Sequence, residues 1–201
     1  MTDDSAKAYL HSYLRDARTA LVGKLDGLDE YAVRRPMTST GTNLLGLVKH
    51  VTMSEARYLG DALGRPFPER LPWWDDDAEP ESDMWATAAE SRAGIVDRYR
   101  RACEHADATI AALDLDAPGH VPWWPQPDTT LFKVIVHVLT ETNRHAGHAD
   151  ILREHLDGVV GQFAPDGRGA AYWSTHRARV EEAALRAGAT PQPGPSRDAR
   201  S

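Results

Sequence analysis

Three histidines and a glutamate share one face of what reads as a single long helix. Residues 131–157, LFKVIVHVLTETNRHAGHADILREHLD, place His137, Glu141, His145 and His148 four, four and three residues apart. At about 100° per residue these side chains fall within roughly an 80° sector. Solvated helix stripes favour Lys, Arg and Glu, so a stripe rich in histidine points to metal ligation. Glu141 and His145 can present a carboxylate oxygen and an imidazole nitrogen to one ion. A third ligand from a facing helix would complete a two-His, one-carboxylate set with a position open for water or substrate. His50, beside the apolar face of an earlier helix, is the choice for that ligand, provided the long helix lies opposite it. His137 and His148 remain as alternative ligands, as orienting groups or as proton carriers. The spacing is not H-E-x-x-H, and no G-x-S-x-G elbow or phosphate-binding glycine loop occurs.

The elements that must position these groups read as helices. Apolar residues at helical intervals predict helices over 4–28, 43–62, from Ser82 or Asp83 to about 113, over 131–157 and over 170–187. Thr42 or Asn43 caps the second, Asp128 to Thr130 cap the fourth, and Gly158 stops it. Two irregular segments carry paired tryptophans, Trp73-Trp74 and Trp123-Trp124, which either bury loop surface or line a pocket mouth. With no strand candidates, the fold class is all-α, a four-helix bundle with a short C-terminal helical extension. The bundle spans 1–158, the extension 159–187, and a Pro- and Ser-rich tail 188–201 reads as disordered. The long link between the second and third helices allows them to run parallel.

Composition excludes several classes. The 201-residue chain carries a net charge of −7, and its largest basic group is Arg98, Arg100 and Arg101. That balance argues against a nucleic-acid partner. No apolar run approaches a membrane span, and the segment MTDDSAKAYL lacks a signal peptide's apolar core, so the expected location is cytoplasmic. Cys103 stands alone and reads as a small core residue rather than a nucleophile. Arginine outnumbers lysine, a coding bias of GC-rich genomes.

The runs LLGLVKH (44–50) and VHVLTETNRHAGHADILRE (136–154) resemble the DinB-like superfamily of four-helix-bundle metalloproteins. Within it they are most similar to the Streptomyces mini-circle protein branch, related to the N-terminal domain of mycothiol-dependent maleylpyruvate isomerase. The resemblance runs from the first helix to Gly158 and implies a divalent metal held by His50, Glu141 and His145. It implies zinc first, with nickel, iron or manganese as alternatives. It also implies a low-molecular-weight thiol cosubstrate, mycothiol by the coding bias, and a small-molecule electrophile as partner. His148 is the expected catalytic proton carrier; His137 and Asp150 are expected to support the ligands. The run Gly147 to Asp150 looks like a branch signature. A metal-dependent thiol S-transferase is the leading reading. The alternatives are a metal-dependent hydrolase, or a metal- or ligand-binding bundle without turnover. A homodimer is compatible with any of them.

Overall fold

The computed structural model describes residues 3–75, 77–161 and 168–189. It divides into two compact units, Met1–Gln162 and Phe163–Ser201. In the first unit, four long helices carry the core. They are α1 (Asp3–Gly23), α3 (Leu44–Tyr58), α4 (Arg92–Ala112) and α5 (Leu131–Asp157), with a short α2 (Glu30–Arg34) between the first two. The second unit contributes α6 (Ala170–Ala189), whose described side chains are exposed. The fold is predominantly all-α. Residues 190–201, most of the expected tail, lie outside the described residues. No helix among the described residues is long and apolar enough to cross a membrane.

The ends of the two helices that bear the candidate residues have identifiable causes. Asn43 accepts a hydrogen bond from Gly46 N at 2.8 Å and opens α3. Gly158, at φ 78°, closes α5 in the left-handed conformation that glycine adopts without strain. Thr130 makes no side-chain cap; the free N–H groups of Leu131 and Phe132 instead reach the carbonyls of Ala117 and Leu115 at 3.0 and 2.9 Å.

Three boundaries depart from the periodicity. The first helix ends at Gly23, and α2 follows a turn; Leu25 remains buried, which carries the apolar pattern past the true end. The second helix ends at Tyr58, and Leu63 extends the pattern through a 3₁₀ turn, Asp61–Leu63. The third begins at Arg92 rather than at Ser82 or Asp83. Ser91 Oγ, not an earlier side chain, accepts from Gly94 N at 3.0 Å. A small hairpin was also unforeseen: β1 (Pro118–His120) pairs antiparallel with β2 (Asp128–Thr130).

Two of three apolar clusters among the described residues draw on all four long helices, and each of those helices passes from one to the other; the third, with Met53, Ala56 and Ala102, packs Leu71 and Trp73 against α3 and α4. Of the two, one holds Leu21 and Leu25, Leu44 to Val51, Ile95 to Tyr99, and Ala146 to Leu152. The other holds Leu14, Leu59, Ala106 and Ile110, and Leu131 to Val138. Thus α3 and α4 both run from the first cluster to the second, while α1 and α5 run the opposite way. Between the clusters lies a polar layer. Arg18 Nε and Nη2 donate to the two oxygens of Glu55 at 2.7 and 2.6 Å, and Glu141 and His145 occupy the same level of α5. Burial opposes the Arg18 charge, but the adjoining Glu55 carboxylate overcomes that effect and raises its pKa.

Candidate metal centre

Because α3 and α5 run antiparallel, their facing side chains pair in reverse order. His50 on α3 meets Glu141 and His145 on α5, and eight residues further along α3 Tyr58 meets His137. The His50 and His145 rings lie 4.7 Å apart, and those of Tyr58 and His137 4.5 Å. Glu141 Oε1 is 2.9 Å from His145 Nε2 and 3.8 Å from His50 Nε2. Each of the three residues offers a donor atom, and all three atoms lie within 4.8 Å of one another.

A fourth residue, unassigned in the sequence, sets the direction of His50. Its Nδ1 donates to Asp83 Oδ2 at 2.6 Å, leaving Nε2 facing Glu141. The segment bearing Asp83 is fastened to the start of α3. Asn43 Nδ2 donates to the Met84 carbonyl at 3.2 Å and Lys49 Nζ to the Trp85 carbonyl at 3.0 Å. Gly46 permits this approach: a Cβ there would stand 1.8 Å from the Met84 carbonyl oxygen. From the sequence, Asp83 stands only as a possible start of the third helix. No periodicity marks it, because its partner lies 33 residues away.

Electrostatics favour the ligating protonation states. Burial pushes the Asp83 and Glu141 carboxyls up, but the hydrogen bonds and charges of His50 and His145 respectively prevail and hold both below their usual range. Burial, then the charge of His50, pushes the His145 imidazole down against the pull of Glu141. Glu141 is therefore anionic and His145 neutral near pH 7. His145 Nδ1 is buried with no hydrogen-bond partner among the described residues.

This donor set fits a divalent cation. It offers two imidazole nitrogens and a carboxylate oxygen, and one imidazole is oriented through its far nitrogen by a carboxylate, the usual support for a ligating histidine.

Residues 9–158 match the mycothiol-S-transferase family. The chain belongs to that family. The match reaches from α1 to the glycine that stops α5, so it contains every residue of this cluster. No curated protein matches the chain. Membership in the mycothiol-S-transferase family points to transfer chemistry with mycothiol as the thiol.

The remaining expected residues of this mycothiol-S-transferase family chain fall in three places. His148 is exposed, its ring 5.3 Å from that of His145. His137 lies between Tyr58 and Trp124, whose ring centroid is 5.0 Å away, and burial lowers its pKa. Asp150 pairs with Lys24 at 2.6 Å, tying α5 to the turn after α1. Cys103 is half-buried, and burial followed by the Glu55 charge pushes its thiol pKa up, away from nucleophilic use. Of the paired tryptophans, Trp73 is buried under Lys49, while Trp74 and Trp123 flank Arg57 at 4.9 and 5.3 Å.

Proposed function

We propose that this protein is a divalent-metal-dependent transferase in which His50, Glu141 and His145 hold the cation and mycothiol supplies the nucleophile. The convergence of those three donor atoms within 4.8 Å, with Asp83 on the far nitrogen of His50, carries the reading. Zinc suits this donor set; nickel, iron and manganese are the alternatives. The cation supplies the Lewis acidity that brings a thiol's pKa toward neutrality.

The chain's own groups perform the rest. Asp83 holds the His50 ring so that its Nε2 lone pair faces the site. The proton that His145 Nε2 now places toward Glu141 would move to Nδ1, the ring's unpartnered nitrogen, when Nε2 serves as a ligand. His148, exposed beside His145, accepts the proton that the thiol loses and passes it to solvent. Sulfur then forms a bond to the electrophilic carbon, and the leaving group departs with the electron pair of the bond that breaks. His137 buttresses the far end of the α3–α5 groove, and Asp150 fixes α5 against α1. The cysteine that such a reaction needs belongs to the cosubstrate, in keeping with the inert Cys103.

Elemental analysis of tag-free protein tests the ligands. His50→Ala and Glu141→Ala are expected to lose bound metal while circular dichroism still shows the helices; stoichiometric metal in either variant rejects the assignment. Cobalt-substituted protein mixed with mycothiol is expected to show a sulfur-to-cobalt charge-transfer band. No spectral change with mycothiol would count against thiol activation.

A further inference from the structure

One helical turn before Glu141, α5 borders a pocket of about 590 Å³ whose lining includes Trp124, Pro125, Gln126, Lys133, His137 and Thr140. A volume of that order suits a small organic molecule. Its walls are flat rings. Trp124 and His137 meet edge to face at 5.0 Å, and Tyr58 supports both, at 5.8 and 4.5 Å. Tyr58 is itself held in place, since its hydroxyl accepts a hydrogen bond from Trp123 Nε1 at 3.0 Å.

A cation stands at this pocket without a carboxylate. Lys133 Nζ lies 4.9 Å from the centroid of the Trp124 ring, and Lys133 makes no ion pair among the described residues. The neighbouring cavity, of about 600 Å³, differs in that respect: its cation, Arg57, already pairs with Asp61 at 3.0 Å. Flat aromatic walls and an unneutralised ammonium together describe a ligand with a planar π-system and a negative end. Four residues of helix rise about 6 Å, so His137 stands about that far along α5 from Glu141, and Thr140 of the pocket lining is the residue next to Glu141.

We propose that this pocket receives the electrophilic substrate and selects planar aromatic carboxylates, with the ring against Trp124 and His137 and the carboxylate on Lys133. The assignment of this ligand as the electrophile rests on the transferase reading above; the ligand chemistry rests on the pocket.

Calorimetric titration of the metal-loaded full chain tests it, with 2-naphthoate, cyclohexanecarboxylate and neutral 2-naphthamide as probes. Naphthoate is expected to bind about tenfold more tightly than cyclohexanecarboxylate, the margin that ring–ring contact provides. Lys133→Met should weaken naphthoate about fivefold and leave naphthamide unchanged; Lys133→Arg should restore naphthoate binding. Trp124→Leu should weaken both aromatic probes. Equal affinity for the flat and puckered acids, or indifference of naphthoate to Lys133→Met, overturns the proposal, and the exposed position of Lys133 keeps that variant folded. Metal content and mycothiol affinity are measured on the same preparations. Protein that binds metal and mycothiol but not naphthoate removes the pocket assignment alone. Protein that selects naphthoate yet never holds metal supports the ligand chemistry and removes the transferase reading.

Discussion

Two glutamates lie in the middle layer of the bundle, and their surroundings differ in one respect. Glu55 is fully buried, and its counter-charge is part of the chain: the Arg18 guanidinium grips both oxygens. Glu141 keeps a quarter of its side-chain surface exposed; its direct partners are imidazoles, neutral near pH 7 in the case of His145, and the Arg144 charge acts on it without an ion pair among the described residues. A buried carboxylate needs a positive partner. The first has one built in, whereas the second would take its main counter-charge from solution if it holds a cation as proposed.

Substitution can break this contrast. Arg18→Met strands the Glu55 charge and should cost about 3–5 kcal/mol in urea unfolding while metal content stays unchanged. Glu141→Gln should do the reverse. Metal is lost, yet the stability of the metal-free protein moves by less than about 1 kcal/mol. If the two substitutions gave matching losses of stability, Glu141 would be a structural residue like Glu55. Next in size, Asp83→Asn should lower metal affinity about 10- to 100-fold in a chelator competition, since the carboxylate no longer orients the ligand. An unaltered affinity would show that His50 needs no support.

The smallest expected effect concerns acid. Burial pushes the Asp83, Asp107 and Glu90 carboxyls up, but the hydrogen bonds and charges of His50, Arg18 and Lys49 respectively prevail and hold all three below their ordinary range. Depressed carboxyl values stabilise the fold above their unfolded values, and that contribution disappears as pH falls through the folded ones. Stability should therefore hold from neutrality to about pH 4.5 and decline below it. Asp107→Asn, which removes an Arg18 partner, should flatten this decline without altering metal content. An acid limb of unchanged slope would place the dependence elsewhere.

The parts legible in the sequence were those with local causes. Helix α5 showed itself through its apolar period and its terminal glycine, and Glu141 and His145 followed because four residues bring side chains to one face. His50 required only that α3 lie opposite. Asp83 could not be read in this way. Its importance comes from Asn43, Gly46 and Lys49 drawing a turn-rich segment onto α3, and that is a tertiary effect without a periodic signature. The hairpin escaped for a related reason. Strands of three residues, Pro-Gly-His and Asp-Thr-Thr, are too short to show alternation. Tyr58 fits the apolar face of its helix, yet its ring supports the walls of a pocket.

The contact between Gly46 and the Met84 carbonyl carries a kinetic implication. With no side chain between helix and loop, the aim of the His50 ring is coupled to whether residues 83–85 stay seated. An ion held by His50 as proposed would leave only as that ring loosens, and the ring loosens when the loop lifts. Exchange of the cation should therefore follow the opening frequency of a surface segment, with a steeper temperature dependence than the bond strengths of three ligands would give.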